Sequence, residues 1–96
     1  MGNEKLLKEK REEILKLAAK YGAHDIRIFG STARGESDEK SDFDFLLEME
    51  PGRSLLDLGG FQFELEALLG RPVDVVTVRG LKPRMRERVL GEAVPV

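Results

Sequence analysis

The sequence contains no cysteine, and its only tyrosine and only histidine are Tyr21 and His24. Without cysteine, a disulfide framework and a zinc site built on thiolates are both excluded. No apolar run approaches the length of a secretory signal or a membrane span, so we expect a cytoplasmic protein without membrane contact. A single histidine beside a predicted strand most often lies at the surface, and we assign His24 no functional role.

The charged residues nearly cancel, since 16 Lys and Arg stand against 18 Asp and Glu, for a net charge of −2. This balance gives no bulk attraction to nucleic acid. Residues 79–88 form a basic cluster in which Glu87 is the single acidic residue. Its basic members are Arg79, Lys82, Arg84, Arg86 and Arg88. It lacks the interleaved aromatic residues on which bases stack, so we expect a solvated helix face and no direct nucleic-acid binding. Contact of this cluster with an acidic partner or with RNA is the functional alternative.

The chain length bounds the architecture. With 96 residues, 41% of them hydrophobic, we expect one domain over residues 1–96 with one modest core. No room remains for a separate domain that binds an acceptor substrate.

Helical and strand patterns alternate along the chain and predict an α/β fold of two layers, in which helices pack on a small mixed sheet. The predicted helices cover Glu4–Tyr21, residues 55–69 behind the cap Ser54, and Pro83 to about Gly91; the predicted strands cover Ile26–Phe29, a segment from Asp42 to Leu47, and Val73–Val78, before an extended tail over 92–96. The polar segment 36–41 is predicted to be an exposed loop.

The second predicted helix carries two apolar stripes. Leu55, Leu58, Phe61, Leu65 and Leu68 form the stripe that we expect to be buried. A neighbouring stripe consists of Leu56, Gly59, Gly60, Phe63 and Ala67. We expect this second stripe to join the core as well, with a partner surface as the alternative.

The strongest chemical signal is Gly30-Ser31, followed after ten residues by Asp42-Phe43-Asp44. Residues two apart on a strand point to the same face, so Asp42 and Asp44 can bind divalent cations together while Phe43 points into the core. Gly30 lets the backbone approach a triphosphate closely, and the turn from Ser31 can direct N–H groups and a hydroxyl at its oxygens.

This spacing resembles the DNA polymerase β-like nucleotidyltransferases. Within that superfamily, the segments 29–36, 41–46 and 72–77 resemble the minimal nucleotidyltransferases, small proteins usually encoded beside a HEPN-domain partner. The resemblance implies a nucleotidyltransferase palm-like fold. It implies that Asp42 and Asp44 bind two Mg²⁺ ions, and that Asp74 binds the ion that activates the acceptor. Gly30, Ser31 and Arg34 would contact the nucleoside triphosphate. For Arg34, an ion pair with Glu36 or Asp38 is the alternative.

The function implied by the resemblance is transfer of AMP from Mg-ATP to a tyrosine hydroxyl of a HEPN ribonuclease toxin, with this chain as the antitoxin. One alternative is an antitoxin that only binds and masks its partner, although such a protein needs no set of three acids placed for metal. A second is transfer to a small molecule, which the absence of a second domain disfavours.

Overall fold

The computed structural model of the protein describes residues 2–36 and 42–96. The elements follow in the order α1 (Gly2–Tyr21), β1 (Ala23–Phe29), β2 (Phe43–Met49), α2 (Leu55–Leu69), β3 (Val73–Thr77), α3 (Pro83–Glu92) and β4 (Val94–Pro95). Of the predicted loop over 36–41, residues 37–41 lie outside the described residues. None of the described helices combines the length and apolar character that crossing a membrane requires.

The four strands form one mixed sheet in the order β3-β2-β1-β4. Strand β2 pairs in parallel with β3, while β1 pairs antiparallel with both β2 and β4. The α/β class with a small mixed sheet is therefore confirmed. Strand β4 was predicted only as an extended tail; in the structure its two residues pair with Arg27 and Ile28 of β1.

The main core lies between one face of the sheet and helices α1 and α2. Phe43, Phe45 and Leu47 alternate along β2 and are fully buried against this layer, as the sequence predicts for Phe43. Ile14 of α1 and Phe61 of α2 are also fully buried in this core. Each such side chain contributes roughly 1.5–3 kcal/mol through removal from water, so this layer holds the sheet in place.

A smaller cluster covers part of the opposite face of the sheet. Leu46 is fully buried there, where it packs with Leu81 and with Val89 of α3. Because side chains two apart on a strand share a face, Asp44 points to the same side of the sheet as Leu46. Helix α3 therefore borders the face that carries the predicted acidic site.

Both ends of α2 are capped, and the cap at Ser54 confirms the prediction. The Ser54 hydroxyl accepts a hydrogen bond from the Leu56 N–H (3.2 Å), and the Asp57 carboxylate accepts one from the Ser54 N–H (3.0 Å). Gly70 ends the helix in the left-handed conformation at φ 69°. These caps satisfy backbone groups that would otherwise lack partners at each helix end.

The expected burial is confirmed for most of the first apolar stripe of α2, where Phe61 and Leu65 are buried and Leu58 and Leu68 pack against the core, and it is wrong for Leu55 and for the second stripe. Leu55, Leu56 and Phe63 are 83%, 87% and 73% exposed. Only Phe61, Leu65 and Leu69 face the core fully, because these positions lie one helical turn apart over the sheet. The sheet and α1 cover only part of the circumference of α2, so the stripe with Leu56 and Phe63 faces outward.

The two glycines within α2 differ in their surroundings. A Cβ at Gly60 would lie only 2.7 Å from Cε1 of Tyr21, whereas a Cβ at Gly59 would meet nothing within 4 Å. Gly60 thus permits the close approach of the Tyr21 ring, which packs at the edge of the core. Gly59 lies open on the exposed stripe.

Candidate active site

Strand β1 ends at Phe29, and Gly30 follows it directly. The φ of Gly30, +74°, lies in the left-handed region that favours glycine. From Ser31 to Gly35 the chain forms consecutive turns, closed by hydrogen bonds from Arg34 N–H to Gly30 O (3.2 Å) and from Glu36 N–H to Ser31 O (2.9 Å). A Cβ at Gly30 would overlap the Asp44 carboxylate. The tight turn and Asp44 are therefore in direct contact, and only glycine fits between them.

The sheet brings two of the predicted acids together. In the parallel register between β2 and β3, Asp44 lies opposite Asp74, and on its other side Asp44 pairs with Phe29, the residue before Gly30. Asp42 directly precedes β2 and is exposed, and Asp44 is half-buried. These pairings place Asp44 between the Gly30 turn and Asp74.

Asp74 lies within a valine-rich run, where a buried charge would need a metal or a partner. In the structure its side chain instead reaches solvent from the edge strand β3, so solvation alone can stabilise its charge.

The electrostatics at Asp44 show that negative charge accumulates here. Partial burial raises the pKa of Asp44, and the charges of Asp74 and then Asp42 raise it further, while Arg34 opposes them. Carboxylate oxygens are the ligands that Mg²⁺ prefers, and a divalent cation would offset this repulsion. The donor set therefore fits a magnesium site centred on Asp44.

The three carboxylates do not form a closed cage. Within residues 2–36 and 42–96, the one group of three metal-binding side chains whose ligand atoms all lie within 4.8 Å of one another is His24, Asp25 and Glu48. Asp42, Asp44 and Asp74 are thus more widely spaced. An open arrangement suits ions that also take phosphate oxygens and waters as ligands.

The group around His24 lies at the other end of β1 from Gly30. His24 is exposed, as predicted, and its Nδ1 lies 2.9 Å from Asp25 Oδ2. Mutual hydrogen bonding accounts for this arrangement, and His24 lowers the pKa of Asp25.

Arg34, which is predicted to bind phosphate, forms hydrogen bonds with two carboxylates. Its Nε donates to Glu36 Oε1 (3.1 Å) and its Nη1 to Glu92 Oε1 (3.2 Å). The alternative of an ion pair with Glu36 therefore describes part of its surroundings, while Asp38 lies outside the described residues. Both carboxylates hold the guanidinium beside the Gly30 turn.

Glu92 is the residue at this site that the sequence analysis missed. It was assigned to the tail, whereas it is the last residue of α3, and its Oε2 accepts a hydrogen bond from the Gly30 N–H (2.7 Å). The one signal available in the sequence was an acidic residue at the C-terminal end of a helix, where the helix dipole disfavours negative charge. Such a residue needs compensating donors, and Gly30 and Arg34 provide them.

The members of the basic cluster are exposed, from Arg79 in the β3–α3 connection through Lys82 to the residues of α3, namely Arg84, Arg86 and Arg88. This agrees with the expected solvated face. The cluster contributes none of the contacts described above to the acidic site.

A profile described as a nucleotidyltransferase domain matches residues 7–96 of the chain. A protein of Methanocaldococcus jannaschii, named as a protein adenylyltransferase, is 43% identical over 90 residues, which span 94% of this chain and 97% of that protein. The family match extends through every element that forms the acidic site.

Two solved structures share the architecture. One is described as a minimal nucleotidyltransferase and superposes with a TM-score of 0.85 at 52% sequence identity. The superposition covers 94% of this chain and 92% of that chain. The other is a toxin–antitoxin determined with AMP-PNP; its matched chain gives a TM-score of 0.74 at 21% identity, with 88% of this chain and 69% of that chain covered. The second likeness is one of fold.

Proposed function

The chain belongs to the nucleotidyltransferase domain family, and we propose that it transfers AMP from Mg-ATP to a hydroxyl of a toxin protein, as the antitoxin of that toxin. We further propose that the toxin is a HEPN-type ribonuclease, that the acceptor is a tyrosine, and that the reaction takes place in the cytoplasm, where ATP is available. The observation that carries the chemistry is the contact between the Gly30 turn and Asp44, with Asp74 beside Asp44 in the sheet.

We assign the cation-binding role to Asp42, Asp44 and Asp74. Two Mg²⁺ ions bound there would neutralise the charge that develops on the attacking and leaving oxygens. The half-buried position of Asp44 fixes its carboxylate against the Gly30 turn, so a cation held by Asp44 would be placed beside the phosphate-binding groups of the turn. The Gly30 and Ser31 turn and Arg34 would bind the β- and γ-phosphates.

The reaction is an in-line displacement at the α-phosphorus. The acceptor oxygen forms a bond to this phosphorus as the bond to the bridging oxygen of pyrophosphate breaks. Asp74 would take the proton of the acceptor hydroxyl, a role that its exposed position beside Asp44 allows. An acceptor that arrives on another molecule can reach this edge of the sheet.

Three observations support a protein acceptor. The relative in Methanocaldococcus jannaschii is named as a protein adenylyltransferase, and a chain of the same fold was solved as a toxin–antitoxin. In addition, Leu55, Leu56 and Phe63 expose an apolar face on α2, and exposed apolar patches often mark protein interaction surfaces.

An enzymatic test separates this proposal from an antitoxin that only binds. Pyrophosphate release is followed for the wild type with Mg-ATP and the proposed HEPN-type toxin. Asp44→Asn should lower the rate at least about 100-fold, because it removes a cation ligand without changing side-chain volume. Neutralisation of the toxin by Asp44→Asn at the wild-type level would instead favour the binding-only reading.

The matched control is Asp25→Asn. Asp25 lies at the other end of β1 with φ 53°, a conformation that Asn also tolerates, so this change removes one carboxylate charge without backbone strain. It should release pyrophosphate at the wild-type rate.

A further inference from the structure

The Gly30 turn already binds an anion that belongs to the chain itself. Glu92 Oε2 accepts the hydrogen bond from the Gly30 N–H at 2.7 Å, and Arg34 Nη1 donates to Oε1 and Oε2 at 3.2 and 3.3 Å. The Glu92 side chain is 21% exposed and lies 62 residues from Gly30 in sequence. Its carboxylate thus lies where the backbone donor and the cation of the turn converge.

These two donors are the groups assigned above to the triphosphate. A carboxylate and a phosphate present similar charged oxygens to an N–H group and a guanidinium, so they compete for the same donors. Glu92 also lies close enough to Asp44 for its charge to add to the repulsion there. The Gly30 and Arg34 contacts therefore hold the Glu92 carboxylate in place, although the nearby acidic charge repels it.

We infer that Glu92 is an internal competitor of the triphosphate and sets the affinity of the site for nucleotide. This inference rests on the proposed function, since it names the residue that the nucleotide must displace. Glu92 ends α3 and lies two residues before β4, which pairs with β1 through only two residues.

The test is calorimetric titration with Mg-ATP and, separately, with inorganic triphosphate. Glu92→Gln keeps the shape of the side chain and a neutral acceptor but removes the competing charge. It should bind both ligands roughly fivefold or more tightly than the wild type. Glu92→Ala, which also removes the acceptor, should show at least the same gain.

Glu87→Gln is the matched control, because Glu87 is an exposed residue on the same helix and the change in net charge is identical. It should leave both affinities near the wild-type value. A comparable gain in Glu87→Gln would mean that overall charge, rather than the Glu92 contact, sets the affinity, and would overturn the inference.

Equal or weaker binding by Glu92→Gln and Glu92→Ala would also overturn it, and would make Glu92 a residue that positions Gly30 and Arg34. The same conclusion follows if thermal melts show that neither variant folds. The two ligands separate this inference from the proposed function. Tighter triphosphate binding by Glu92→Gln, without nucleotidyl transfer by the wild type, would support the competitor and contradict the enzyme.

Discussion

At the scale of the residue, Gly30 joins a backbone requirement to a chemical one. Its φ of +74° would strain most other residues, and its missing side chain leaves room for the Asp44 carboxylate. A methyl group at this position would have to displace that carboxylate. The position of Asp44 therefore depends on a neighbouring residue that has no functional group.

Gly30→Ala should lower the rate of nucleotidyl transfer by roughly 10-fold or more, because small displacements of positioned groups are costly in catalysis. Left-handed strain should also cost about 1–2 kcal/mol of folding stability. Rate measurements and urea unfolding test both effects. The control is Gly52→Ala, since Gly52 has a similar φ of +86° but no atom within 4 Å of an added Cβ. This control should lose stability and keep activity; equal losses of activity in both variants would contradict the role of the Asp44 contact.

Asp44 should make the folded state sensitive to pH. Its pKa is raised above 3.8 by burial and by Asp74 and Asp42, so the folded chain holds this proton more tightly than the unfolded chain. The stability that protonated Asp44 contributes is complete at pH values below its pKa in the unfolded chain. It is lost as the pH rises through its raised pKa in the folded chain. Near neutral pH, the ionised Asp44 thus destabilises the fold.

Asp44→Asn should therefore unfold at a higher temperature than the wild type near neutral pH in EDTA. The difference in unfolding temperature should shrink as the pH falls below the ordinary pKa of an Asp carboxyl. Mg²⁺ should also reduce the difference, because it stabilises the wild type. Thermal unfolding followed by circular dichroism tests this expectation. A less stable Asp44→Asn protein at neutral pH would show that the repulsion at this site is unimportant.

At the scale of the element, α2 presents opposite environments two residues apart. Phe61 is fully buried and packs near Tyr21, with ring centroids 6.4 Å apart, whereas Phe63 is 73% exposed. Phe61→Ala should destabilise the domain by about 3–5 kcal/mol through the cavity it leaves. Phe63→Ala should change stability by no more than about 0.5 kcal/mol, as is usual at the surface. Urea unfolding of the two variants measures the contrast, and a large loss for Phe63→Ala would show that this face is covered.

The elements also show where sequence reasoning succeeds and where it ends. Local chemistry predicted the Ser54 cap and the alternation of Phe43 with Asp42 and Asp44, because each depends on neighbouring residues. The exposed stripe of α2 was not predictable, since an apolar residue has the same pattern whether it faces a core or a partner. Strand β4 was missed because two residues carry no periodicity.

The acidic site shows the same limit. The Gly30 and Asp44 motif was visible in the sequence because the residue types and their spacing reflect the chemistry. The Glu92 contact joins residues 62 apart, and only the folded sheet and α3 bring them together. The spacing of Asp42, Asp44 and Asp74 likewise depends on strand register, which the motif does not encode.

At the scale of the whole molecule, the main core lies on one face of the sheet and the acidic site on the other. Helices α1 and α2 pack on one face, and the acids lie on the face that α3 borders. The acidic site is thereby open at the edge strand β3, with exposed Asp74 beside it. Because no second layer covers that edge within the described residues, an acceptor carried by another protein has access to it.

The measurement that tests this account most directly is the intact mass of the proposed toxin partner after incubation with the protein and Mg-ATP. We predict a gain of about 329 Da, the mass of one added AMP, on the toxin. The gain should be absent with Asp44→Asn or with EDTA and present with Asp25→Asn. An unmodified toxin that the wild type nevertheless neutralises, or a gain that survives the loss of Asp44, would contradict the account.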